Sequence, residues 1–262
     1  MLYNHLLKKL GFIGTGKIAS SVITGIFKSS INFKKIIISS RNSVIAKKLK
    51  KSFKKIIIEN KNQEIIDSCD WIFLCITPEV GKEIIKDLKF KKKQTIISFI
   101  STISLTELKK MIKVQAKIVR AIPLPPISLK EGPIPICPPN KKVKTFFDKL
   151  GSTVEIKNEK LSINFWAISG MMASYYNMLH TMSVWLYKRG VKKLDAQKHI
   201  TSLFLALSQD AFINSDKDLK LLVKDSQTPR GLNEQGLEEM IKKNVYKSVI
   251  DTLDSVYKRL HK

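Results

Sequence analysis

The chain has 262 residues, 44% of them hydrophobic, with 47 basic against 22 acidic side chains and a formal net charge of +25. That size and apolar content suit one large domain or two ordinary ones, and no apolar run approaches the roughly 20 residues that span a bilayer. Only five of the basic residues are arginine (41, 120, 189, 230 and 259), and lysines occupy nearly every segment, so the charge reads as a solvated coat that attracts small anions rather than a nucleic-acid stripe.

From Lys9 onward, short β-branched runs alternate with amphipathic helical stretches. Strands are expected at Lys9–Ile13, Lys35–Ser39, Lys55–Ile58, Trp71–Ile76, Thr95–Phe99 and Lys117–Ala121, each apolar on both faces as a buried parallel strand is. Seven of the nine prolines lie between Pro123 and Pro139, which predicts an extended loop with no helix. A short strand around Ile134–Cys137, a helix over Lys141–Leu150 and a closing strand at Thr153–Ile156 follow. This alternation predicts an α/β domain with a Rossmann-type, doubly wound parallel sheet over residues 1–157.

After Glu159 the texture changes. Leu161–Leu186 contains no lysine or arginine and reads as one long helix that is apolar all round and needs cover on every side. Stretches at about 194–213, 218–224, 232–243 and 244–260 also carry helical patterns. Residues 158–262 are therefore expected to form an all-α substrate and dimerisation domain whose apolar helix is covered by a second subunit. The N-terminal MLYNHLLKKLGFIG has no apolar core followed by a small-residue cleavage site, and Cys69, Cys75 and Cys137 show no metal spacing. The expectation is a cytoplasmic protein with reduced thiols, no metal, no membrane span and no nucleic-acid partner.

The first strand runs into GFIGTGKIAS, in which Gly14, Gly16 and Ala19 form G-x-G-x-x-A. Between a strand and an amphipathic helix this is the dinucleotide fingerprint. Gly14 makes the turn, Gly16 lets a pyrophosphate approach the backbone, and the phosphates rest on the helix N-terminus near Thr15, Lys17 and Ile18. The second strand ends in Ser39, Ser40, Arg41 and Asn42 with no acidic residue. An NAD site usually places a carboxylate there for the ribose 2′-hydroxyl, whereas Arg41 with the two hydroxyls suits a 2′-phosphate. NADP(H) is therefore expected in preference to NAD(H). Thr77 and Pro78 at the end of the fourth strand, with Ser101 and Thr102 after the fifth, are expected to line the same crevice.

In this order the motifs resemble the pyrroline-5-carboxylate reductase family over nearly the whole chain. GFIGTGKIAS is similar to that family's G-F-I-G-x-G-x-M-A, and CITPEV stands where it has A-V-K-P-Q. IISFISTISLTEL, VRAIPLPPISLKEGPIPI, AISGMMASYYNML and TPRGLNEQGLEEM follow four further family motifs. The resemblance implies reduction of the C=N bond of a cyclic imine carboxylate by NAD(P)H, 1-pyrroline-5-carboxylate going to proline. It also implies a Rossmann domain and a helical domain that interlocks with a second subunit, giving a homodimer or higher homo-oligomer. The departures cluster where the family meets substrate. Arg230 replaces the first glycine of its loop pair, Leu232 and Asn233 replace two threonines, and Ser169 to Ser174 read S-G-M-M-A-S against the family's S-G-S-G-P-A.

Pro229 and Gly231 form an elbow that starts a helix near Leu232. Free N–H groups of its first turn, Gly231 and Leu232 included, make a carboxylate site, with Arg230 as a charged fork and Asn233 donating to the carboxylate or to the imine nitrogen. Arg230, Asn233 and Ser169 are the candidate catalytic residues, and Ala173 is a further substrate contact. A reductase for a different anionic imine, and a non-catalytic NADPH-binding sensor or scaffold, remain as alternatives. A β-hydroxyacid dehydrogenase needs a lysine on the long helix, which Leu161–Leu186 lacks.

Overall fold

The protein is described from a computed structural model covering residues 7–260. The chain divides into two compact units, residues 1–166 and 167–262.

The first unit runs β1 (Leu7–Ile13), α1 (Lys17–Lys28), β2 (Phe33–Ser39), α2 (Ser43–Ser52), β3 (Ile56–Glu59), α3 (Asn62–Ser68), β4 (Trp71–Leu74), α4 (Pro78–Ile84), β5 (Thr95–Ser98), α5 (Leu105–Ile112), β6 (Lys117–Ala121), β7 (Pro133–Cys137), α6 (Lys141–Phe147) and β8 (Ser152–Glu155). The strands form one sheet in the order β3-β2-β1-β4-β5-β6-β7-β8. Every pairing is parallel except β6 with β7. The expected strands all appear, within three residues at each end.

Alternation explains why the sheet is wound on both sides. Phe12, Ile36, Ile38, Phe73 and Ile97 pack on one face with the apolar stripes of α1, α2 and α6. Their chain neighbours Ile13, Ile37, Ile72, Leu74 and Ile96 pack on the other with α3 and α5, as a period of two requires. Phe12 and Phe73, neighbours in register on β1 and β4, stack with centroids 4.4 Å apart. The strand order reverses between β1 and β4, so the crevice outside their carboxyl ends is the natural ligand position of such a sheet.

The proline-rich segment departs from the extended loop expected of it. Pro125–Leu129 form a turn of 3-10 helix with both prolines at its start, where the missing N–H groups would have had no helical partner.

The second unit is helical: α7 (Glu159–Ser169), which carries the chain across the division, then α8 (Met172–Tyr187), α9 (Lys193–Ile213), α10 (Leu219–Asp225), α11 (Leu232–Lys242) and α12 (Val245–Leu260). The single helix expected over Leu161–Leu186 is two. Gly170 and Met171 leave the helix with N–H groups bonded to Ala167 and Ile168, and α8 restarts when Tyr175 N–H reaches the Met171 carbonyl. A lone glycine between two equally uncharged stretches leaves no mark in the polarity pattern. The far end of α8 closes on Gly190, at φ +91°, with Val191 N–H bonded back to Leu186 and Gly190 N–H to Tyr187. This is a Schellman closure on the residue that tolerates it best. In the single chain Tyr176, Trp185 and Tyr187 of α8 are each more than half exposed, so the cover foreseen for this stretch does not come from its own chain. Among the described residues no helix is long and apolar enough to cross a membrane.

Candidate functional site

A cavity of about 500 Å³ opens at the carboxyl ends of β1, β2 and β4, lined by Gly14, Thr15, Gly16, Arg41, Asn42, Ser43, Cys75, Ile76, Thr77 and Val80. The glycine turn forms its floor. Gly14 sits at φ +91°, and a Cβ there would lie 2.4 Å from the Cys75 carbonyl oxygen, so no other residue fits. At Gly16 an added Cβ would meet nothing within 4 Å. That space is free for a ligand to approach the backbone. Gly16 precedes α1 with no side-chain cap, and no acidic residue stands in the first turn among the described residues. The N–H groups of Lys17, Ile18 and Ala19 thus face outward without intrahelical partners, a ready phosphate seat.

Ser39 lies beneath the turn rather than on its surface. Its hydroxyl accepts from Gly14 N–H at 2.9 Å, while Thr15 Oγ1 gives its single proton to the Ser39 carbonyl at 2.6 Å. In the remaining 3.2 Å contact between the two hydroxyls, Ser39 is therefore the donor. Both hydroxyls are committed to bracing the turn. Ser40 is tied by its N–H to the Glu59 carbonyl. Arg41 is exposed at the cavity edge, and Asn42 beside it caps α2 through Ile45 N–H. Glu59 ends β3 in register with Ser39, but its carboxylate turns to Asn60 N–H at 2.7 Å and does not line the cavity. Thr77 precedes α4 and Pro78 is its first residue. The backbone N–H of Glu79 and the Thr77 hydroxyl hold the Glu79 carboxyl below its usual range.

Gly14, Thr15, Gly16, Arg41 and Thr77 thus share one cavity, Lys17 and Ile18 open the helix aimed at it, and Ser40 and Pro78 are not among its lining residues. Sequence reasoning did not assign Asn42, Ser43, Cys75, Ile76 and Val80 to the site, all of them within two residues of ones it did assign. It also passed over the buried Arg120, whose guanidinium meets Glu159 at 2.6 Å.

In the second unit, Thr228–Gly231 form a tight turn closed by Gly231 N–H on the Thr228 carbonyl at 2.7 Å. Pro229 takes the second place and Arg230 the third, at φ +61°, where turns of this kind favour glycine. Gly231 then precedes α11 with no side-chain cap. Glu234, from the first turn of α11, folds back and accepts from Arg230 N–H, so the elbow already carries one carboxylate of its own. Asn233 donates one amide hydrogen to the Ser226 carbonyl at 2.8 Å, and Leu232 is 87% exposed. Ser169 closes α7, half-buried, and Ala173 is exposed on the first turn of α8.

The sheet order, glycine turn and open helix end define a dinucleotide-binding oxidoreductase unit joined to a helical unit. Comparison with known proteins agrees. Residues 9–102 match the family model described as NADP oxidoreductase coenzyme F420-dependent, and residues 159–262 match that of pyrroline-5-carboxylate reductase dimerisation. A pyrroline-5-carboxylate reductase 3 from Xenopus laevis is 22% identical over 260 residues, covering 95% of this chain and 94% of that protein. Among solved structures, a 1-pyrroline-5-carboxylate reductase from Streptococcus pyogenes superposes with a TM-score of 0.81 at 25% identity, covering 96% of this chain and 97% of its own. A Plasmodium falciparum pyrroline carboxylate reductase with NADP bound superposes at 0.82 with 22% identity, over 96% of each chain. The chain thus carries the C-terminal region that marks pyrroline-5-carboxylate reductase dimerisation and is similar to such reductases, distantly, over nearly its whole length.

Proposed function

We propose that this protein reduces the C=N bond of a cyclic imine carboxylate, 1-pyrroline-5-carboxylate to proline, using NADPH, and does so as a homodimer or larger homo-oligomer. The observation that carries the reading is the union, on one chain, of a glycine-turn cofactor cavity with a C-terminal segment matching the dimerisation region of these reductases. The residues present suit a dinucleotide phosphate: free N–H groups at α1, open space at Gly16 and no acid in the first turn. Arg41 supports the preference for NADPH. It is an exposed guanidinium at the cavity edge, on the loop after β2, and the nearest strand-end carboxylate, Glu59, is turned to its own loop.

Bound NADPH supplies the hydride. The chain's own groups hold the acceptor: Arg230, with the Gly231 and Leu232 N–H groups, takes the imine carboxylate, and Asn233 orients the ring nitrogen through its second amide hydrogen. Ser169 and Ala173 complete the substrate side. Rate then comes from placement more than from acid–base chemistry at the protein. A different anionic imine is the second reading, favoured by the bulk of Arg230 and Leu232 at the elbow.

The test is NADPH oxidation by purified protein with 1-pyrroline-5-carboxylate, with a six-membered cyclic imine carboxylate and NADH run in parallel. Turnover of the five-membered ring with a lower KM for NADPH than for NADH is the expected result. Arg41→Ala should raise the NADPH KM about tenfold, the loss of one charge-assisted contact, and leave the NADH KM nearly unchanged. Protein that binds NADPH but turns over neither ring would sink the reading.

A further inference from the structure

We propose that Arg120 and Glu159 form a positioning pair that sets the loop after β5 for the nicotinamide end of the cofactor; this rests on the reductase reading above. Arg120 lies near the carboxyl end of β6, opposite Ser98 on β5, and is 5% exposed. Its fork is divided. One terminal nitrogen, Nη2, donates to the Ser101 carbonyl, and the other, Nη1, donates to Glu159 Oε1 at 2.6 Å. The same Glu159 oxygen accepts from Leu105 N–H, the first residue of α5, at 2.7 Å. Three segments are therefore joined at one carboxylate and one guanidinium: the loop 99–104, the start of α5 and the first turn of α7.

That loop has an inner and an outer side. Phe99, Ile100 and Ile103 are buried, while Ser101 is half-buried and Thr102 is exposed. It follows β5, the strand beside β4, whose continuation Cys75–Thr77 lines the cofactor cavity. In a sheet of this kind the far half of a dinucleotide extends over these strand ends. Pulling the Ser101 carbonyl inward toward Arg120 fixes which atoms of residues 101 and 102 remain turned outward.

The arginine is an expensive way to fill this place. Its Nε is buried without a partner in the structure, an orphan that an apolar side chain would avoid. A buried pair of this kind is weak evidence for stability, since well-packed apolar replacements often fold as well or better. What only the forked cation supplies is a fixed distance between the Ser101 carbonyl and the start of α7.

The test separates placement from folding. Glu159→Gln alone strands the buried cation and should lower Tm. The double variant Arg120→Met with Glu159→Gln removes both charges and keeps an acceptor for Leu105 N–H, so its Tm should return toward wild type. Its kcat should still be reduced about tenfold, with the NADPH Kd within about threefold because the phosphate turn is untouched. Recovery of kcat together with Tm would overturn the proposal. Should the double variant fail to fold, Arg120→Lys keeps the charge but cannot reach two acceptors as a fork, and an unchanged kcat in that variant would equally overturn it. The fluorescence enhancement of bound NADPH gives a readout that needs no imine. Reduced enhancement at saturating cofactor in the variants supports the pair's role even if wild-type protein turns over no pyrroline carboxylate, an outcome that would sink the substrate reading alone. Wild-type enhancement in both variants would count against the pair.

Discussion

Arg230 shows most sharply how one residue can be favoured and penalised at the same place. Its φ of +61° puts an arginine in the left-handed region, at a roughly 1–2 kcal/mol disadvantage to glycine. The pyrroline-5-carboxylate reductase loop motif has glycine at this position. Strain retained at this turn is what the proposed carboxylate contact of Arg230 would account for. Arg230→Gly is expected to raise unfolding free energy by about 1 kcal/mol, measured by denaturant titration, and to raise the imine KM. A variant that is more stable with an unchanged KM would leave Arg230 without a role in holding the carboxylate. Little of this was visible in the sequence. TPRGLN announces a turn and a helix start through its proline and glycine, but the return of Glu234 onto the Arg230 N–H is a question of side-chain direction that spacing does not settle.

At the scale of the element, α5 is built by rule. Ser104 accepts from Glu107 N–H while the Glu107 carboxylate accepts from Ser104 N–H, a complete capping box before Leu108 and Ile112 enter the core. The Ser104 backbone N–H and then its hydroxyl hold Glu107 below its ordinary value of 4.5. A carboxyl lowered by folding contributes stability that is fully present above that ordinary value and is lost as pH falls through the depressed one. Ser104→Ala should cost about 1 kcal/mol at neutral pH, and the difference from wild type, followed by thermal melts between pH 7 and pH 3, should shrink on the acid side. A difference that stays constant across that range would contradict the coupling. The break between α7 and α8 is the opposite case. Nothing in the run from Leu161 to Leu186 distinguishes two helices from one, because both halves lack charge and the interruption is only Gly170 and Met171.

At the scale of the whole molecule, the second unit leaves several large apolar side chains in water in the single chain. Leu205 and Phe212 on α9 are 69% and 67% exposed, and Leu207 and Ile213 are also more than half exposed. Large apolar side chains left in water, Leu205 and Phe212 on one face of α9 among them, suit an association surface. Its cover by a second copy is the proposal that the match of residues 159–262 to a dimerisation region supports. Leu205 and Phe212 stand two helical turns apart, on one face. Substituting both with aspartate should halve the mass seen by light scattering after gel filtration. An unchanged mass would place the interface elsewhere.

The sequence by itself determined the sheet, its winding and its cofactor edge. Strands apolar on both faces, separated by helical patterns, admit few other packings, and a glycine turn between the first strand and the first helix has the geometry that suits a pyrophosphate. It also located four of the six helices of the second unit in outline and ran the other two, α7 and α8, into one, since an amphipathic or uncharged stretch carries its own period but not its own break. Only the tertiary structure decided which polar groups meet. Ser39 braces Gly14 across 25 residues and Arg120 holds Glu159 across 39. Such pairs are brought together by strand order and crossover, and the chemistry of either residue alone says nothing of the other. Burial then decides their weight: an arginine that looked like one of five scattered cations becomes, at 5% exposure, a charge that must be paired.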